Sequence, residues 1–167
     1  MVAARFGCTR SLRVSPVAPL LTSPAFAGLQ SSGQFSPDGK FVAFTVSATN
    51  GPQIFIVPFP VGSGIWQIST EGGRWPRWRR DGKELYFVTS RNELAVVSIA
   101  EKGGGIEFSR PLPLFTFRPT ERTYRLGMIE FDVTPDGKRF LLNIAADENS
   151  RPLTLLQNWT SLLITHP

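Results

Sequence analysis

The sequence predicts an all-β chain of β-propeller blades, about three four-stranded antiparallel sheets of an incomplete ring, and three observations carry that prediction. Short apolar runs are punctuated by glycine and proline, 15 and 14 of the 167 residues, which suits many strands joined by tight turns better than long helices. One ten-residue motif occurs three times without gaps, as Phe35–Phe44, Trp78–Phe87 and Val133–Leu142. Its first two copies are 43 residues apart, from Asp38 to Asp81, within the roughly 40 to 45 residue period of a four-stranded blade.

Each motif reads as strand, corner, strand. Pro37 and Pro135 preset φ at the first corner position, Asp38, Asp81 and Asp136 can bond back to nearby backbone, and Gly39, Gly82 and Gly137 take the positive φ that closes the turn. The following runs, Phe41 to Val46, Leu85 to Val88 and Phe140 to Leu142, are almost continuously apolar. That pattern belongs to sheets covered on both faces, as blades are when stacked around an axis.

A third strand is expected at Gln53 to Val57, Glu93 to Ile99 and Leu153 to Gln157. Fourth strands are expected at Ile65 to Ile68 and Pro113 to Thr116, with a weak signal at Ser161 to Ile164. The second interval, Asp81 to Asp136, spans 55 residues and needs an insertion. Its expected place is between Glu101 and Met128, where Gly103, Gly104, Gly105, Pro111, Pro113 and Pro119 interrupt the strand pattern. The repeat therefore divides the chain into an irregular leader or mis-started segment over 1–18 and a propeller fragment over 19–167, with units of about 30–73, 74–128 and 129–164. Three units fall short of the four to eight blades that close a ring, so missing blades of a longer chain, or self-association, are expected to cover the exposed faces.

Composition narrows the chemistry. The net charge is +5, but residues 1–32 hold Arg5, Arg10 and Arg13 with no acid, so the remaining chain is close to balanced. Nucleic acid is not an expected partner on that ground. Cys8 and His166 are single representatives of their kinds, which excludes an intrachain disulfide and a His/Cys zinc cluster. No run approaches the 18 apolar residues of a membrane helix, and Pro16 and Pro19 interrupt the stretch before Ala25-Phe26-Ala27 that loosely imitates a signal peptide.

The corner Ser36-Pro37-Asp38-Gly39-Lys40, the strings Trp66 to Gly73 and Pro76 to Gly82, and the ending Leu156-Gln157-Asn158-Trp159-Thr160 resemble the TolB-like, WD-repeat-like propellers, and among them the C-terminal propeller of bacterial serine/threonine protein kinases. The resemblance covers about residues 19–164. It implies a sensor or binding module for a protein or small-molecule ligand, extracytoplasmic if the parent is a membrane-anchored kinase and cytoplasmic otherwise. The sequence departs from the full kinase architecture: it has no Gly-rich ATP loop, no His-Arg-Asp and no Asp-Phe-Gly.

No catalytic, cofactor-binding or metal-ligating residue is expected, and the chain reads as free of catalytic chemistry. Asp38, Asp81 and Asp136 read as turn caps, not as carboxylates for catalysis or metal. An accessory propeller of a serine hydrolase is an alternative, although a Gly-x-Ser-x-Gly elbow is absent. Arg74-Trp75-Pro76-Arg77-Trp78-Arg79-Arg80 interleaves bases and aromatics as single-strand grooves do. Period two instead suits a buried Trp78 with Arg77 and Arg79 turned to solvent or to Glu71, Asp81 and Glu84. Arg118, Arg122, Tyr124 and Arg125, inside the insertion, form the expected contact surface, since propellers bind through exposed loops.

Overall fold

A computed structural model describes residues 29–60, 63–120, 131–144 and 153–157, the last segment as backbone. These residues form twelve strands and no helix. The first sheet contains β1 (Leu29–Phe35), β2 (Phe41–Ala48), β3 (Gly51–Pro58) and β4 (Trp66–Gln67), paired in that order. The second contains β5 (Arg74–Trp78), β6 (Glu84–Val88), β7 (Glu93–Lys102), β8 (Gly105–Phe108) and β9 (Leu112–Thr116), and the third β10 (Phe131–Val133), β11 (Arg139–Asn143) and β12 (Leu153–Gln157). Every pairing is antiparallel, and chain neighbours pair in turn as an up-and-down meander except that β9 returns to β7, the construction of a propeller blade.

The three corners are built alike. The amide of the glycine returns to the carbonyl three residues earlier at 2.9 Å in each: Gly39 to Ser36, Gly82 to Arg79 and Gly137 to Thr134. The glycine φ angles are 75°, 72° and 71°, a region that costs an L side chain roughly 1–2 kcal/mol. Upstream, both β1 and β5 carry a bulge at matching places, between Ser31 and Gln34 and between Arg74 and Arg77. Ser32 and Trp75, six residues before their corner aspartates, take positive φ of 54° and 57° there. A bulge bends and twists a strand, so the repeat extends into the innermost strand, where no sequence signal announces it.

Strand parity stacks the sheets. Phe41, Ala43, Ile54 and Ile56 of the first sheet pack with Trp78, Leu85, Phe87, Ala95, Val97 and Ile99 of the second. On the second sheet's opposite face Trp75, Tyr86, Val88 and Leu94 pack with Phe131, Phe140 and Leu142 of the third. Leu85 and Phe87 thus alternate with Tyr86 and Val88 across one strand, and all four are buried. This is why the run is continuously apolar. The expectation of two covered faces does not extend to β11, where Phe140 and Leu142 are buried but Leu141 is 46% exposed.

In the described part of the insertion the glycines form a tight turn, not a break. β7 runs on to Lys102, turns through Gly103 and Gly104 with φ of 58° and 82°, and pairs back with β8. Two consecutive positive φ values make the hairpin turn whose twist matches that of its strands. The outer position of this blade is shared, β8 pairing with Ile99 to Lys102 and β9 with Glu93 to Val96. The predicted outer strand at Ser161 to Ile164 and the leader over 1–18 lie outside the described residues.

Candidate functional site

The corners position a concavity between two blades. A groove of about 360 Å³ opens between the first two blades, bounded by the Ser36–Asp38 and Asp81–Lys83 corners and by Ile99 to Glu101 of β7. This size suits a small ligand. Phe41, Trp78 and Ile99, all buried, supply its apolar lining.

The two seams differ at one position of the repeat. Ala43 faces the first seam at the repeat position where Tyr86 faces the second. Tyr86 reaches toward the third corner, donating its hydroxyl proton to Glu84. A Cβ on Gly137 would meet that hydroxyl at 2.7 Å, whereas a Cβ on Gly82 meets only Pro37, at 3.7 Å. Tyrosine fills one seam; alanine cannot fill the other. The wall past β6 comes from the β7 extension, held against the first blade by Ile106 in the shared core and by Trp66, which packs on the Gly105 backbone and edge-on to Phe41.

Three of the carboxylates around the groove, Asp38, Asp81 and Glu101, are ion-paired, while the Lys83 side chain of the lining makes no ion pair among the described residues. Lys40 donates to both Glu101 carboxylate oxygens, at 2.7 and 2.8 Å, spanning from the first corner to β7, and its Nζ lies 3.4 Å from Asp38. Arg79 donates through Nε and Nη2 to the two Asp81 oxygens, each at 2.8 Å, and through Nη1 meets Glu84 at 2.7 Å. Exposure leaves the Lys40 pairs worth little in stability. The Lys40 amine is shifted upward, chiefly by its bond to Glu101.

Asp38, Asp81 and Asp136 each accept the backbone amide two residues on, from Lys40, Lys83 and Lys138, at 3.1, 3.0 and 3.0 Å. Each also accepts a side-chain donor from the residue that opens its corner: the Ser36 hydroxyl, the Arg79 guanidinium and the Thr134 hydroxyl. Those donors stabilise the ionised form. Asp38 and Asp136 are lowered chiefly by Ser36 and Thr134, and Asp81 is lowered by Arg79 to about 2. The oxygens are thus engaged within their own turns, and no group of three or more metal-ligating side chains occurs among the described residues.

One buried polar group of a groove-lining residue is not met. The Trp78 indole Nε1 is buried and has no hydrogen-bond partner, while its backbone amide donates to Gln34 Oε1 at 2.8 Å. A buried donor left unpaired costs about 1–3 kcal/mol.

The arginine-rich stretch divides by environment. Arg74 is buried, donating to Asn92 and lying 4.8 Å over the Trp75 ring. Arg77 is lowered by burial and donates to the Pro76 carbonyl at 2.9 Å. Arg79 meets Asp81 and Glu84, whereas Glu71 pairs with Arg91. Of the expected contact surface, Arg118 is exposed beside the buried Phe117. Arg122, Tyr124 and Arg125 lie outside the described residues. Sequence reading did not single out Phe41, Ile99 or Ala100 as parts of a site, because their grouping depends on how two sheets stack.

No family model and no curated protein matches the sequence. Among solved structures the chain is similar to TolB from Acinetobacter baumannii, with a TM-score of 0.50 and 23% identity over 78% of this chain and 30% of TolB. It is also similar to the periplasmic gluconolactonase of Pseudomonas aeruginosa, with a TM-score of 0.46 and 20% identity over 77% of this chain and 39% of that protein. The chain therefore spans under half the length of either. The reading of the chain as free of catalytic chemistry is corrected on this point: solved structures it matches include a gluconolactonase, and a propeller fold by itself does not separate binding modules from enzymes. The stacked antiparallel sheets and the likeness to TolB establish a TolB-like β-propeller fold.

Proposed function

We propose that this chain is part of a propeller that recognises a protein or small-molecule ligand, as the sensor segment of a bacterial serine/threonine kinase or a similar regulator. The observation that carries the binding half is the groove between the first two blades: concave, apolar within through Phe41, Trp78 and Ile99, and rimmed by charged side chains. Such a site suits recognition by shape and a few hydrogen bonds. The regulatory half rests on the sequence resemblance at Ser36 to Lys40, Trp66 to Gly73 and Leu156 to Thr160.

Thermal-shift measurements on the full chain against short peptides, sugars and small organic acids test the binding half. Ala100 lies exposed in the groove lining, so Ala100→Trp obstructs the groove without entering the core. At least one ligand raises the melting temperature of the wild type and not of A100W; equal shifts in both proteins, or none in either, overturn the reading. The regulatory half requires further corner repeats and a kinase or regulator domain encoded upstream, and unrelated sequence there overturns it. Arg118 is the described part of the proposed contact surface, and R118E is expected to weaken capture of a protein partner while leaving small-ligand shifts intact.

A further inference from the structure

The three corners form a row along one end of the stacked sheets. A Cβ on Gly82 would lie 3.7 Å from Pro37 Cδ of the first corner, and one on Gly137 would lie 2.9 Å from Arg79 Cδ of the second. A lysine follows the glycine in every copy, so Lys40, Lys83 and Lys138 stand one to a corner along this row, all exposed. Their partners differ. Lys40 holds Glu101, which the overrun of β7 brings to the first corner. Neither Lys83 nor Lys138 makes an ion pair, and each acts on the aspartate of its own corner from beyond ion-pair reach. The described carboxylates of the row are engaged already: Asp38 by Ser36, Asp81 and Glu84 by Arg79, Asp136 by Thr134 and Glu101 by Lys40. Arg80, exposed in the second corner, makes no ion pair either. The uncompensated charge at the second and third corners is therefore positive, and the first corner shows how such charge is met, by a carboxylate from another segment.

We propose that Arg80, Lys83 and Lys138 form a docking surface for an acidic segment of a partner protein, whose carboxylates meet these corners as Glu101 meets Lys40. Exposed ion pairs are individually weak and screened by salt, so several carboxylates engage at once. Nucleic acid also carries anions, but a single strand needs aromatic faces to stack on, and the aromatic side chains of β5 and β6, Trp75, Trp78, Tyr86 and Phe87, are all buried. The surface does not use the apolar lining of the groove, with which it shares only Lys83.

Fluorescence anisotropy with the full chain tests this, using a labelled peptide of alternating glutamate and glycine, its glutamine counterpart and an oligothymidylate of equal charge. The glutamate peptide is expected to bind at least tenfold more tightly than the glutamine one and to weaken as salt is raised. Lys83→Gln and Lys138→Gln each loosen it at least threefold. Arg91→Gln removes the same charge at the other end of the second blade and changes it less than twofold. Both lysines are exposed and unpaired, so each variant is expected to keep the wild-type melting temperature. Glu101→Gln frees Lys40 and tightens the peptide at least twofold. Equal binding of the two peptides, equal effects of Lys138→Gln and Arg91→Gln, an unchanged affinity in Glu101→Gln, or tighter binding of the oligothymidylate overturns the assignment. None of these outcomes touches the groove reading, which stands or falls on the A100W comparison.

Discussion

The corner glycines share a conformation but not an environment, and single substitutions separate the two effects. Gly39 has φ of 75° with open space where a Cβ would go, so Gly39→Ala is expected to cost about 1–2 kcal/mol from backbone strain alone. At Gly137 the same strain is joined by approaches of 2.7 Å to the Tyr86 hydroxyl and 2.9 Å to Arg79 Cδ. Gly137→Ala should therefore destabilise more than Gly39→Ala, as read by urea denaturation, and equal losses would contradict the tight packing at the third corner. The corner aspartates set a pH dependence. Asp81 falls from 3.8 to about 2 on folding, so its ion pair and turn contribute stability in full above the unfolded value. That contribution is lost as pH falls from about 3.8 through about 2. Asp81→Asn is expected to flatten the acid limb of the melting temperature while lowering it at pH 7; an unchanged acid limb would show that the pairing contributes nothing. At Trp78, replacement by phenylalanine removes the unmet donor, worth about 1–3 kcal/mol, as well as part of a buried ring. Its net effect on stability should be smaller than the about 3–5 kcal/mol typical of truncating a buried aromatic to alanine.

At the scale of the elements, the β7–β8 hairpin makes an insertion into part of the core. Ile106 is 8% exposed within the seam between the first two blades, whereas Phe108 on the same strand is 39% exposed. Ile106→Ala should cost about 2–5 kcal/mol in chemical denaturation, and Phe108→Ala much less. Comparable losses would mean that the hairpin does not lean on the first blade. The corners, the strands beside them and the third strands were legible because proline, aspartate, glycine and β-branched runs act through local backbone preferences. The hairpin was not legible. Gly103 and Gly104 favour a tight turn and a loop break equally well, and the choice came from Ile106 and Trp66 finding a surface on another sheet.

For the whole molecule, register explains which faces are finished. Ala43 and Tyr86 are 0% and 1% exposed, while Leu141, at the same repeat position, is 46% exposed. Covering that face with a further blade or another copy of the chain is the remaining proposal about its surroundings. The chain expressed alone is expected to self-associate, with Leu141→Lys shifting size-exclusion and light-scattering profiles toward monomer. A wild-type monomer that melts cooperatively would contradict this.

Sequence alone determined the all-β class, the three corners and the two-faced burial of β2 and β6, because turn chemistry and apolar patterning act over a few residues. The tertiary structure decided that the first seam stays open while the second closes, that β7 overruns its neighbour to wall the groove, and that the Trp78 N–H goes unmet. Each of these follows from which side chains meet across two sheets, such as Phe41 and Trp78, a relation between residues far apart in the chain that no local preference encodes.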